Sequence, residues 1–283
     1  MRIVSISPQP ADNVPYWSAA PGGGAEPALL PVHIGEVAGL PDSLDGLIVA
    51  SDLQGAMTAA QAPVLLGEEL SARLELLLEV ELPEIDPRRV LALLCGDLYA
   101  DPAVRGSSGD PLPVWRSLGR SFGWVAGVAG NHDRFAPQSA NELAEADRTA
   151  FFAAPGVKTF AGVELAGLGG ITGRPGRPNR MPEREFMEQL ERLLRTEPEI
   201  LLLHQGPDAP EAGCRGDSRV RGILEAARTC ALVCCGHVHW EEPLVEIGGV
   251  QVLNADGRAF VFRRRSAPDT GGREPLTTAW TEE

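Results

Sequence analysis

The feature that most constrains this chain is a recurrence: five short apolar runs, each turning polar just as it ends. Residues 47–50 lead into Ser51-Asp52-Leu53-Gln54-Gly55, residues 90–95 into Gly96-Asp97-Leu98-Tyr99, and residues 124–129 into Gly130-Asn131-His132-Asp133. Residues 200–203 lead into His204-Gln205-Gly206-Pro207, and residues 231–235 into Gly236-His237-Val238-His239. Short apolar runs bounded by Gly and polar residues read as strands buried on both faces. Between them lie segments of helical spacing. Leu70, Leu74, Leu77 and Leu78 share a face of 67–82, as do Phe186, Leu190, Leu193 and Leu194 in 183–196. Further helices are predicted at 112–120, 142–152 and 219–228. Strands alternating with helices predict an α/β fold, and late short strands at 243–247, 250–253 and 259–263 predict a second, mixed sheet. Other short strands fit 2–6, 157–160 and 163–168.

Ligands of open α/β sheets gather at the carboxyl ends of strands. Four of the five histidines (His132, His204, His237, His239) fall in the polar endings. Carboxylates, amides and imidazoles form a mixed oxygen and nitrogen donor set. Such a set suits Mn, Fe, Zn or Ni better than calcium or a thiolate zinc site. Asp52, Gln54, Asp97, Asn131, His204, His237 and His239 are too many for one tetrahedral ion and suit two metals sharing a carboxylate. Two ions ~3.5–4 Å apart hold a bridging hydroxide and clamp the attacking and leaving oxygens of a phosphoryl displacement. His132 is then the spare imidazole, beside Asn131, able to protonate a leaving group.

The order Asp-x-Gln, Gly-Asp, Gly-Asn-His-Asp, His, Gly-His-x-His resembles the calcineurin-like metallophosphoesterases over residues 47–240, and to about 262 if Asn254-Ala255-Asp256-Gly257 is the family's Asn-containing turn. The resemblance implies a two-sheet β-sandwich flanked by helices in four layers, with two metals at one edge. It implies that Asp52, Gln54 and His239 hold one ion, that Asn131, His204 and His237 hold the other, that Asp97 bridges, and that His132 sits near the substrate. Gln54 stands where most of the family has His. A neutral amide oxygen is a poorer ligand than imidazole, so the first site is expected to be weakened, with Mn²⁺ favoured over Fe, Zn or Ni. A similar Asp-x-Gln occurs in the Mn-dependent ADP-ribose/CDP-alcohol pyrophosphatase branch, which favours a diester or pyrophosphate. The phosphoprotein-phosphatase branch has a second Asp where this chain has Ala100, which argues against a protein phosphatase.

The expectation is a dinuclear phosphoesterase that cleaves a small, nucleotide-like phosphodiester or pyrophosphate. The alternative is a weakly active or inactive scaffold that keeps the fold and binds protein partners. Asp plus Glu number 39 against 25 Lys plus Arg, a formal charge of −14. That balance disfavours long nucleic acid, which needs a basic surface. It does not exclude a phosphate substrate, because metals supply positive charge locally. Arg174, Arg177, Arg180 and Arg184 either clamp a phosphate or line a solvated loop. Five cysteines without a C-x-x-C read as buried reduced thiols in a cytoplasmic protein. No run is long enough for a membrane span, and a homo-oligomer remains open.

Residues 1–263 are expected to form one domain, with an insertion at about 8–46, rich in Pro, Gly and Ala and of little regular structure. Residues 264–283 read as a loose tail. Pocket-shaping residues are sought in 8–46, 99–115 and 171–184.

Overall fold

Strands that are apolar on both faces must be covered on both faces, and this chain does so with two stacked sheets and an outer layer of helices. The structure, a computed structural model, describes residues 1–58, 64–227, 230 and 232–265. In chain order the strands are β1 (Arg2–Ile6), β2 (Asp12–Ala19), β3 (Ala25–Ala38), β4 (Gly46–Ser51), β5 (Val90–Leu94), β6 (Trp124–Val128), β7 (Thr149–Phe152) and β8 (Gly156–Phe160). They continue with β9 (Val163–Leu168), β10 (Ile171–Thr172), β11 (Arg180–Met181), β12 (Ile200–Gln205), β13 (Leu232–Gly236), β14 (Leu244–Ile247), β15 (Val250–Asn254) and β16 (Arg258–Arg264). The helices are α1 (Leu66–Glu81), α2 (Leu112–Ser121), α3 (Pro137–Glu145), α4 (Glu183–Leu194) and α5 (Ser218–Ala226).

The first sheet runs β1-β3-β16-β4-β5-β6-β7, with β2 also paired to β3. The second runs β14-β15-β13-β12-β9-β8. In each, the central strands are parallel: β4 to β7 in one, β15, β13, β12 and β9 in the other. Alternate residues of one strand therefore serve two cores. Leu47 and Val49 pack between the sheets with Leu91, Leu165, Leu202 and Leu232, while Ile48 and Ala50 face α1 and α2 through Leu70, Leu74 and Trp115. On the far side, α4 and α5 cover the second sheet through Phe186, Leu190, Val220 and Leu224. Burying each such side chain contributes about 1.5–3 kcal/mol against leaving it in water. The result is the four-layer sandwich expected. No helix among the described residues is long and apolar enough to cross a membrane.

Three local expectations are corrected. Residues 8–46 are not an irregular excursion. β1 and β2 together form one interrupted strand antiparallel to β3, and a turn at Gly23 and Gly24 (φ 91° and 78°) closes the ribbon. Pro27 and Pro31 are tolerated because β16 pairs β3 only from Val32 onward, so this stretch has a strand on one side alone. His33, inside the 8–46 segment, lies in β3 with its ring stacked on Phe260.

The helix predicted at 142–152 ends at Glu145, and Thr149–Phe152 is an edge strand beside β6. Thr and two Phe suit a pleated surface better than a helix. That helix starts earlier, at Pro137, where a missing N–H costs nothing. Asp110 accepts a hydrogen bond from Leu112 N (3.0 Å) and another from Ala136 N (3.1 Å), so one carboxylate caps the starts of α2 and α3.

The closing strands split between the sheets. β14 and β15 join the second, but β16 crosses to the first and inserts between β3 and β4. The crossing segment is Ala255–Gly257, which hydrogen-bonds Cys235 O on one sheet and Ser51 O on the other. The predicted tail from residue 266 onward lies outside the described residues.

Candidate metal centre

The crossing segment lies where the carboxyl ends of β4, β5, β6, β12 and β13 meet. Asp52, Asp97 and His237 each follow directly, or within a few residues of, a strand end and adopt left-handed backbone (φ 53°, 53° and 72°). Non-glycine residues rarely do so, and three in one place mark a site whose surroundings enforce the geometry. Glycines make the close approach possible. A Cβ on Gly130 would sit 2.0 Å from Asp97 Oδ1, and one on Gly236 would sit 2.1 Å from Ser51 Oγ and 2.2 Å from Asp52 Oδ2.

Asp97, His204 and His237 converge, with one ligating atom of each within 4.8 Å of the others. His204 lies on β12 and is fully buried. Its Nδ1 is 2.7 Å from Cys95 O, so Nδ1–H donates there and Nε2 is the nitrogen that faces the cluster. That Nε2 is 3.2 Å from Asn131 Oδ1 and 3.4 Å from Asp97 Oδ2. Asp97 Oδ1 accepts from His132 N (2.7 Å), which leaves Oδ2 facing the cluster. An imidazole pair, a carboxylate and an amide oxygen are a donor set that fits a borderline divalent cation.

Asp52, Gln54 and His239 are brought near this cluster but are differently committed. Asp52 Oδ2 accepts from Ser51 Oγ (2.6 Å) and His237 N (2.9 Å). Gln54 Nε2 donates to Asp97 Oδ2 at 3.3 Å. His239 is half exposed, with Nδ1 3.2 Å from Asp256 Oδ2 and Nε2 3.0 Å from Arg258 Nη2.

The electrostatics show a pocket short of positive charge. Burial pushes the Asp52 carboxyl well up, helped by Asp256 and Asp97 and opposed by His204. Asp97 goes the other way: burial would raise it, but the His204 charge and hydrogen bonds from the His204 ring and the His132 backbone hold it below the usual carboxylate range. Burial would lower His204, yet Asp97 and Asp52 raise it to about 10. His237, lowered to about 4 by burial and by His204, is neutral at pH 7 with a lone pair to give. A divalent cation would supply the charge that His204 otherwise borrows as a proton.

The loop carrying Asn131 and His132 is held from below. Asp133 accepts from Gly130 N (2.8 Å), Asp97 N (2.8 Å) and Leu98 N (2.9 Å), tying the Gly-Asp and Gly-Asn-His-Asp segments together. Its pKa is raised to about 6 by burial and by Asp97, against those N–H donors. Asn179 Nδ2 donates to Gly130 O (2.7 Å) and Asp133 O (2.6 Å). Ser108 Oγ lies 3.3 Å from His132 Nδ1. Asn179, Ser108, Asp256 and Arg258 were not visible as site residues. Each acts on a partner from a distant segment: Asp256 sits in the Asn254–Gly257 turn without an assigned role, Ser108 and Asn179 fall in segments expected only to shape a pocket, and Arg258 carries no local motif. Asp133 was visible in its motif, but not as a clasp on backbone.

Two clefts flank the cluster. One, ≈ 650 Å³, is lined by His237, His239, Arg215, Asp217 and Arg219. The other, ≈ 290 Å³, lies between the ribbon residues Ser18 and Glu26 and the segment from Tyr99 to Ser107, with Gln54 on its wall. The second cleft draws on two of the three segments in which pocket residues were sought; Arg215 to Arg219 were not among them. Arg174, Arg177, Arg180 and Arg184 do not share one loop: Arg180 starts β11 and is near enough to act on His237, and Arg184 lies in α4, where it pairs with Glu188 at 2.7 Å. All five cysteines are buried and unpaired, and burial raises each thiol, so none is poised as a nucleophile.

This centre sits inside the segment that defines a family. The chain belongs to the calcineurin-like phosphoesterases, whose profile matches residues 47–241. It is therefore a phosphoric ester hydrolase of a metal-dependent family, with Asp97, His204 and His237 as a possible metal-binding cluster. No curated protein matches the chain. Among solved structures, a hypothetical protein from Thermus thermophilus is similar at 16% identity over 74% of this chain and 75% of its own, TM-score 0.44. Phosphopantetheinyl hydrolase from Mycobacterium tuberculosis is similar at 13% identity over 76% and 89%, TM-score 0.42.

Proposed function

We propose that this chain hydrolyses a small phosphodiester or pyrophosphate, nucleotide-like in size, with divalent metal bound at the strand-end cluster. The observation that carries the reading is the convergence of Asp97, His204 and His237 on one point, in a chain of the phosphoesterase family. Asn131 would complete that position. Asp52, Gln54 and His239, sharing Asp97, are the residues that would hold any second ion, with Mn²⁺ first among the candidate metals. Bound metal supplies a water-derived nucleophile at neutral pH and neutralises charge on the phosphoryl group.

The chain's own residues do the rest. Asp97 Oδ1 fixes the backbone of His132 through its 2.7 Å hydrogen bond, and Ser108 meets the ring at Nδ1. The His132 imidazole would then deliver a proton to the leaving oxygen. The two clefts would receive the groups on either side of the scissile bond, Arg215 offering a cation on one side. A cytoplasmic setting and a small-molecule partner go with this reading.

The test is hydrolysis of bis-p-nitrophenyl phosphate against the monoester, using metal-stripped protein with Mn²⁺ restored. Metal-dependent diester turnover, lost in His132→Ala, is the expected result. Stoichiometric metal binding without turnover of any ester would instead support the scaffold reading.

A further inference from the structure

His239 is the one residue of the seven proposed ligands whose two ring nitrogens are both occupied by other side chains. A guanidinium is donor-only. Arg258 Nη2, 3.0 Å from His239 Nε2, must therefore donate to the lone pair on that nitrogen. The proton of the ring then sits on Nδ1, facing Asp256 Oδ2 at 3.2 Å. Coordination of a metal by Nε2 needs the same lone pair. A cation and Arg258 cannot both have it.

Arg258 is not a surface side chain that drifts aside easily. It is 8% exposed, starts β16 at the strand crossing, and also donates from Nη2 to Trp240 O. Trp240 is itself buried and pinned by its Nε1 to Arg215 O at 2.7 Å. The contrast with His204 is direct. There the far nitrogen is occupied by a backbone carbonyl and the near one is left for a ligand. At His239 one nitrogen is occupied by a buried positive charge and the other by a carboxylate. Gln54, the neutral member of the same half, adds no charge to draw a second cation in.

We infer that Arg258 takes the place of the second metal ion at His239, so that the centre holds one divalent cation tightly at Asp97, Asn131, His204 and His237. A second ion enters only by displacing the guanidinium. The inference rests on the proposed metal-dependent reading and specifies its metal content.

Full-length, metal-stripped protein is titrated with Mn²⁺, with bound metal counted by mass spectrometry and the state of the ion read by electron paramagnetic resonance. Wild type is expected to bind one Mn²⁺ per chain, with an isolated-ion signal and a second Kd at least about a hundredfold weaker. Replacing a residue that restrains a ligand shifts metal affinity by about 10- to 100-fold, so Arg258→Met should tighten the second site by that factor and give a spin-coupled pair. His239→Gln should leave the single tight ion in place, an outcome that does not depend on whether Arg258→Met folds. Two ions of like affinity in wild type, spin-coupled, with one lost in His239→Gln, would overturn the inference and leave the phosphoesterase reading standing. No binding of Mn²⁺, Fe²⁺ or Zn²⁺ would end both.

Discussion

The two halves of the proposed centre are built from similar residue types and differ in what the other end of each candidate ligand touches. Asp97, Asn131 and His204 are buried and come from both sheets. Asp97 Oδ1 and His204 Nδ1, the atoms turned away from the point of convergence, are bonded to His132 N and Cys95 O. Such partners fix tautomer and orientation before a cation arrives. Asp52, Gln54 and His239 are more exposed, and their polar atoms bond to Ser51, Asp97, Asp256 and Arg258. A motif names the ligands, but the second partner of each ligand decides whether a position is ready to be filled.

The widest gap between the halves should appear in paired substitutions. Asp97→Asn is expected to abolish tight Mn²⁺ binding and lower kcat/KM on the order of 10³-fold, since it removes buried charge at the point of convergence. Gln54→Ala, a neutral group in the other half, should cost no more than about tenfold, in line with loss of a supporting contact. Equal losses, measured on the same diester, would dissolve the distinction. Between these falls His132→Ala, at about a hundredfold or more for removal of a general acid. Its signature is a kcat/KM profile that loses its alkaline limb, which a merely structural role would not change.

Asn179 sharpens the comparison from outside the ligand set. It bonds two carbonyls of the Asn131 loop, and no hydrogen bond joins its side chain to the Asp52 half among the described residues. Asn179→Ala should therefore weaken the tight Mn²⁺ site and kcat/KM by about 10- to 100-fold. A titration in which only a second, weaker ion is affected would show that the loop supports the other half instead.

What the sequence made legible follows the range over which its signals act. The parallel strands and α1 and α4 were readable because periodicity and burial are local, and Leu70 or Phe186 declares its face within two turns. The ribbon was misread because Pro and Gly usually signal loops; here Pro27 and Pro31 sit where β3 lacks a second neighbour. β16 was placed in the wrong sheet because nothing in Phe260 or Phe262 tells one partner strand from another. At the site, the metal-type residues stood out as polar endings on apolar runs. Arg258 could not: its meaning comes from a 3.0 Å contact with a histidine that a strand crossing brings beside it.

The smallest effect expected is also the most diagnostic of the charge argument. In metal-free protein the His204 pKa is about 10, because Asp97 and Asp52 outweigh the opposing effect of burial, against 6.5 when unfolded. A group raised on folding stabilises fully below its unfolded pKa and loses that contribution as pH rises toward its folded one. Melting of stripped protein should thus fall by several degrees between about pH 6.5 and 10. In the acid range Asp133, raised to about 6, loses its contribution as pH climbs through that value. His237, lowered to about 4, gains over the same interval, so the two oppose each other there. A cation held by His204 keeps the ring neutral and replaces its proton, so Mn²⁺ should flatten the alkaline slope. A flat profile without metal would show that the folded pocket does not call for positive charge, and the contrast between the halves would then rest on geometry alone.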